Sequence, residues 1–99
     1  LESRAVLQNV PIAYRGWGQV LRKGNSGILV CHPDFLDTDV SSWWSTLLGE
    51  EGRAFDVRRF FVNCINPMGC PYGSVSPLNA FKGAHGPAFP LTTIRDHVR

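Results

Sequence analysis

Hydrophobic and polar positions alternate along "VPIAYRGW", residues 10–17, where Ile12 and Tyr14 interleave with Ala13 and Arg15. A period of two predicts a half-buried strand. Pro11 near its start predicts an edge position, because proline gives no donor to a ladder. "ILVCH", residues 28–32, is a continuous apolar run. It predicts a strand buried on both faces, as in a parallel sheet. "SSWWSTLLGEEG" sets Trp43, Trp44, Leu47 and Leu48 at helical spacing. It predicts a helix capped by Ser41 or Ser42 and stopped by Gly49 or Gly52. "FFVNCI" predicts the next strand, Phe60–Ile65. Near the end, Thr93 precedes Asp96 at a variant of the capping-box spacing, and Ile94 and Val98 share one helical face.

The predicted order is strand, strand, loop, helix, strand, long loop, helix. A buried strand, a helix and a second buried strand imply a right-handed crossover and a parallel pair. The class is α/β, with an antiparallel hairpin at the front edge leading into a mostly parallel sheet. The last helix has run less than two turns at Arg99, too short to be stable alone. Leu1 is not an initiator methionine. The expectation is a fragment, or one chain of a processed enzyme, that needs more polypeptide to fold.

Between Asn66 and Pro90 the pattern has no period of two or of 3.6. The segment is far longer than an ordinary βα connection of about 2–6 residues. Met68, Tyr72, Phe81 and Phe89 supply apolar anchors, so an ordered loop is expected. In open α/β sheets ligands bind outside the carboxyl ends of strands. Both this loop and "HPDFLDTD", residues 32–39, leave such an end, and they are expected to converge on one site.

Composition changes this picture little. The chain has 99 residues, 43% of them hydrophobic and 18% charged, which suits one globular unit. A net charge of +2 without a basic run argues against a general attraction to nucleic acid or anionic membrane. No apolar stretch approaches the ~20 residues of a membrane helix, and Glu2 and Arg4 at the front do not read as a signal peptide. The three cysteines, Cys31, Cys64 and Cys70, form no C-x-x-C pair. Reduced thiols and a cytoplasmic location are expected. Their spacing with His32, His85 and His97 does not suit a zinc site.

Several residues carry candidate chemistry. His32 ends a strand, where a following loop can supply an oxyanion-binding N–H; its side chain is expected to bond backbone and close the strand. Asp34, Asp37 and Asp39 lack calcium-loop spacing and are expected to lead the "SSWW" helix, near its dipole. "GCPYGS", residues 69–74, lacks the lysine of a phosphate loop. No G-x-S-x-G elbow is present. Neither Ser74 nor Cys70 is expected to be a nucleophile.

"VPIAYRGWG", "ILVCH", "SSWW", "GRAFD", "FFVNCIN", "MGCPYGSVSP" and "GPAFPLTTIRDHVR" together resemble the homoserine O-acetyltransferase family over nearly the whole chain. That family has the α/β-hydrolase fold and includes serine O-acetyltransferases and deacetylcephalosporin C acetyltransferase. The resemblance implies that residues 1–99 are the N-terminal segment of a single α/β-hydrolase domain, incomplete without further polypeptide. It implies an acyl-CoA-dependent O-acyltransferase. A serine takes acetyl from the co-substrate acetyl-CoA and passes it to the hydroxyl of homoserine, serine or a related metabolite. The resemblance implies no bound cofactor. The Ser-Asp-His triad lies beyond residue 99, so no catalytic side chain falls in this chain.

By position, the resemblance makes the backbone of Asp34 or Phe35 the oxyanion-hole candidate, and gives Asn66, Gly69, Gly73 and Ser74 the shaping of the acyl and acceptor pocket. Arg95 and Asp96 become helix-start residues that fix the loop. The implied partners are the remaining C-terminal polypeptide, in the same or a processed chain, and a small-molecule acceptor, with neither nucleic acid nor membrane; a homodimer is compatible. The family usually carries small residues and a Leu-Thr pair after the strand's histidine, whereas this chain has Pro33, Asp34, Phe35 and Leu36. That departure leaves open a different acceptor or acyl group, a hydrolase on the same scaffold, or a non-catalytic descendant.

Overall fold

The computed structural model describes residues 1–20, 26–33, 36–80 and 84–98. The chain divides into two compact units, one of residues 14–65 and the other of residues 1–13 with 66–99.

The first unit holds a three-stranded sheet built from β1 (Tyr14–Trp17), β2 (Gly27–Val30) and β5 (Phe61–Ile65), in the order β1-β5-β2. β5 pairs antiparallel with β1, Tyr14 opposite Ile65 and Trp17 opposite Val62. It pairs parallel with β2, Ile28 opposite Val62 and Val30 opposite Cys64. The expected parallel pair is therefore present, and β1 is an edge strand. The antiparallel partner of β1 is β5 and not β2, because β5 inserts between them.

Alternation carries Ile28, Val30, Val62 and Cys64 to one face. There, buried Val30, Val40, Leu48, Val62 and Cys64 form the core, with Trp17, Trp43, Phe55 and Phe60 packed on it. The expectation that β2 is buried on both faces fails at Leu29, which is 60% exposed on the opposite face.

The crossover departs from the expected long helix. α1 is a single turn, Val40–Trp43. Asp39, not Ser41 or Ser42, occupies the N-cap position, and the hydroxyls of both serines turn back onto it: Ser41 Oγ to Asp39 Oδ1, Ser42 Oγ to Asp39 O. Trp44 then leaves helical geometry at φ −125°, ψ 40°. The carbonyls of Leu47 and Gly49 are taken by the amides of Phe55 and Val57, at 2.8 and 2.9 Å. That pairing makes a second, two-stranded parallel sheet of β3 (Leu48–Gly49) and β4 (Phe55–Asp56). Trp44 stacks obliquely on Phe55, ring centroids 5.9 Å apart, and stays 41% exposed.

The second unit is built around the long loop. Buried Val75, Ala80 and Ala84 form its core, with Leu7, Val10, Met68 and Phe89 packed on it. Met68 and Phe89 thus anchor the loop as expected. Tyr72 is exposed, and Phe81 lies outside the described residues. The front of the expected first strand belongs here: Pro11 O accepts from Val75 N at 2.9 Å, and Ala13 O from Asn66 N at 2.8 Å.

α2 (Ile94–Val98) starts as expected after Thr93. Thr93 N donates to Asp96 Oδ2 at 3.0 Å and Asp96 N to Thr93 Oγ1 at 3.4 Å, the reciprocal pair of a capping box. Asp96 also accepts from Glu2 N at 2.8 Å, and Arg95 lies 3.4 Å from the Glu2 carboxylate. These two residues fasten the helix start to Glu2 at the front of the chain, rather than to the long loop they were expected to fix.

Candidate functional site

In the first unit, β2 hands the chain to His32 and Pro33. His32 is buried, and its Nδ1 donates to Pro33 O at 2.7 Å. A carbonyl can only accept, so the pairing sets the proton on Nδ1. The side chain closes the strand end as the sequence suggested. The oxyanion candidates Asp34 and Phe35 lie outside the described residues.

Downstream, Asp37 and Asp39 behave as structural carboxylates. Asp37 Oδ1 accepts from Asp39 N at 2.7 Å. Asp39 Oδ2 pairs with Arg15 Nη1 at 2.7 Å. The Ser41 hydroxyl foremost, with Arg15 beside it, holds the Asp39 carboxyl below the usual range. Among the described residues, no group of three or more His, Cys, Asp and Glu side chains could hold a metal ion.

The second unit brings four expected residues, Asn66, Gly69, Gly73 and Ser74, into one turn system. Asn66 and Ser74 are fully buried. Asn66 Nδ2 donates to Tyr72 O at 3.1 Å and Cys70 O at 3.4 Å. Ser74 Oγ donates to Asn66 O at 2.5 Å and accepts from Ala13 N at 2.9 Å. A hydroxyl committed in both senses acts as a clamp between two backbone groups.

Gly69 and Gly73 make the turns. Their φ values are +94° and +95°, a region that side chains disfavour. A Cβ on Gly73 would stand 2.9 Å from that of Ala13. Gly69 N reaches Val75 O at 2.8 Å, closing the loop on itself.

Two members of this network escaped the sequence reading. Ser76, fully buried, donates its N–H to Asn79 Oδ1 at 2.7 Å, and Asn79 Nδ2 donates to Ser74 O at 2.8 Å. The signal was there in "SPLN": a serine, a proline and an asparagine at i+3 mark a side-chain-closed turn.

The three cysteines are free thiols: Cys64 and Cys70 buried, Cys31 exposed. Burial foremost pushes the Cys64 thiol up. Among the described residues, no helix is long and apolar enough to cross a membrane.

No family model matches the chain. Curated relatives do. The homoserine O-acetyltransferase of Saccharomyces cerevisiae is 49% identical over 102 residues, covering 100% of this chain and 21% of the relative. That of Emericella nidulans is 48% identical over 104 residues, again covering 100% and 21%. Homoserine O-acetyltransferase FUB5 of Gibberella moniliformis is 47% identical, covering 100% and 22%.

Among solved structures, the homoserine O-acetyltransferase of Bacillus anthracis superposes with a TM-score of 0.72 at 24% identity, covering 88% of this chain and 28% of that one. A mutant esterase superposes equally, TM-score 0.72 at 22% identity, covering 93% and 30%. These likenesses, with the mixed parallel and antiparallel sheet, establish the α/β-hydrolase fold. The chain thus resembles the homoserine O-acetyltransferase family along its whole length, and it spans about a fifth of the length of the curated relatives it matches.

Proposed function

We propose that these 99 residues are the N-terminal part of an acyl-CoA-dependent O-acyltransferase, moving acetyl from acetyl-CoA to the hydroxyl of homoserine, serine or a related small metabolite. The observation that carries this reading is identity of 45–49% along the whole chain to proteins named homoserine O-acetyltransferase. Chance or a shared fold alone does not give that; the solved structures share the fold at half that identity.

In this reading the reacting serine and its Asp and His partners lie on polypeptide beyond Arg99, and the 99 residues are one segment of a single domain. Their contribution is the front of the site. The backbone at Asp34 or Phe35 gives an N–H to the developing oxyanion, where one such donor is worth about 2.7–4 kcal/mol of barrier. Asn66, Gly69, Gly73 and Ser74 shape the acyl and acceptor pocket. Their hydrogen bonds support a refinement: Asn66 and Ser74 spend their side chains holding the turn, so backbone and the bare Cα atoms of Gly69 and Gly73 are what the turn can offer a ligand. Three free thiols suit a cytoplasmic enzyme.

The test incubates the full-length enzyme with acetyl-CoA, with and without homoserine or serine, and follows free CoA and the O-acetyl product. Acceptor-dependent CoA release with one O-acetyl product per CoA is expected. CoA release that ignores every acceptor makes the protein a hydrolase. No release, with no serine elbow in the downstream sequence, makes it a non-catalytic descendant.

A further inference from the structure

The turn over residues 66–75 begins directly after β5, at the carboxyl end of a strand, where open α/β sheets bind ligands. Its lip is exposed at Gly69, Pro71, Tyr72 and Gly73, and its base is fully buried at Asn66, Ser74 and Ser76. An exposed lip on a buried polar base keeps one shape when the groups of that base are all bonded.

Asn79 completes the base. It sits on a single turn of its own, where Asn79 N and Ala80 N both reach Ser76 O, at 3.2 and 2.9 Å. Its Oδ1 accepts from Ser76 N at 2.7 Å and from Ser76 Oγ at 3.1 Å. Two donors on the oxygen fix which way the amide faces. The nitrogen is thereby turned to Ser74 O, 2.8 Å away. Closing the Ser76 turn takes only the oxygen, and a carboxylate would serve there as well. The bond to Ser74 O is the one that needs an asparagine.

That bond reaches the lip. Ser74 O and Val75 N belong to one planar peptide. Val75 N is held by Pro11 O at 2.9 Å, so both sides of the peptide are pinned. Val75 O then accepts from Gly69 N at 2.8 Å. Asn79 thus acts on Gly69 through its own bond to Ser74 O and the bond of Val75 to Gly69.

We propose that Asn79 is a positioning residue for the acceptor side of the acyltransferase site, holding the lip from Gly69 to Gly73 against the small hydroxyl substrate. The inference rests on the reading of this turn as a wall of the acyl and acceptor pocket. The acceptor feels the lip more than acetyl-CoA does. A metabolite the size of homoserine makes few contacts, so one displaced wall removes a large share of them. Acetyl-CoA binds mainly through its CoA part, remote from the acetyl group.

The test measures both KM values of the full-length enzyme, with homoserine as acceptor, or serine if that is what the wild type acetylates. Asn79→Asp keeps the oxygen that Ser76 uses and replaces the donor to Ser74 O with a second oxygen. The acceptor KM is expected to rise about tenfold, the scale of one hydrogen bond, with the acetyl-CoA KM within about twofold of wild type. A lower urea midpoint with both KM values unchanged overturns the proposal, since the role is then confined to folding. Equal rises in both KM values overturn it too. Asn79→Ala lacks both bonds and is expected to show a split at least as large; an unchanged acceptor KM there is equally fatal. The wild type is measured first. CoA release without any acceptor sinks the acyltransferase reading itself, whereas an acceptor-dependent wild type whose variants show no split sinks this inference alone.

Discussion

The Ser74 hydroxyl ties its own loop to a stretch 61 positions earlier, accepting from Ala13 N while donating to Asn66 O. Both partners are backbone groups in a fully buried place, where water cannot replace the lost atom. Ser74→Ala is therefore expected to destabilise by about 1–3 kcal/mol, the cost of buried groups left unsatisfied, read as a lower urea midpoint. An unchanged midpoint would mean the clamp is not made in solution. The sequence could mark Ser74 through the family pattern "YGSVS", but not this role, because nothing local announces a partner 61 residues away. Asp34 poses the opposite question. In the proposed reaction, a carboxylate beside the oxyanion would oppose the charge that the site has to stabilise. If Asp34 contributes only its backbone N–H, Asp34→Leu leaves turnover unchanged or raises it. A drop of about a hundredfold, the scale of one lost oxyanion donor, would instead give its carboxylate a part in the reaction.

Short-range chemistry decided which elements could be read in advance. Thr93 and Asp96 satisfy each other's amides within one turn, so three residues of sequence sufficed to place the start of α2. Thr93→Ala removes the hydroxyl that accepts from Asp96 N and donates to Glu2 Oε2 at 2.5 Å. It is expected to cost about 0.5–2 kcal/mol, with the earliest loss of amide protection along α2; equal protection in both proteins would show that the cap carries nothing. β5 was equally plain, since "FVNCI" sets β-branched Val62 and Ile65 beside apolar Phe61 and Cys64. The crossover was not. Trp43, Trp44, Leu47 and Leu48 fit a 3.6 period, yet Leu48 pairs with Phe55 in β3 and β4. Strands of two residues carry no period, so no window of sequence contains their signal. What overrides the helix is tertiary: Phe55 N and Val57 N capture the carbonyls that a longer helix would have used. β2 shows a related blind spot, for an apolar run says that both faces can be buried, not which polypeptide does it.

Across the whole molecule the fold class, the parallel pair and the edge strand followed from pattern. The order β1-β5-β2 did not, because nothing in the first two strands records that a third will come between them. Electrostatics reaches both units in one sense. The Ser41 hydroxyl, with Arg15, holds Asp39 below the usual carboxylate range. Hydrogen bonds from the Arg58 side chain and backbone hold Asp56 there. For Asp96 burial works upward, but hydrogen bonds from Thr93 and the Glu2 backbone outweigh it. A carboxyl depressed in the folded state binds fewer protons than in the unfolded one. Its contribution is thus complete above the ordinary Asp value of about 3.9 and is lost as pH falls through the lower folded value. The urea midpoint should accordingly hold between about pH 5 and 7 and decline below about pH 4. Asp39→Asn lowers the plateau and makes the acid limb shallower, because one linked proton is gone. Arg15→Ala leaves Asp39 its larger support from Ser41, so it should flatten the limb less than Asp39→Asn does. A midpoint that climbs on acidification would reverse the sign of all three carboxylates, and equal limbs in wild type and Asp39→Asn would remove Asp39 from the set.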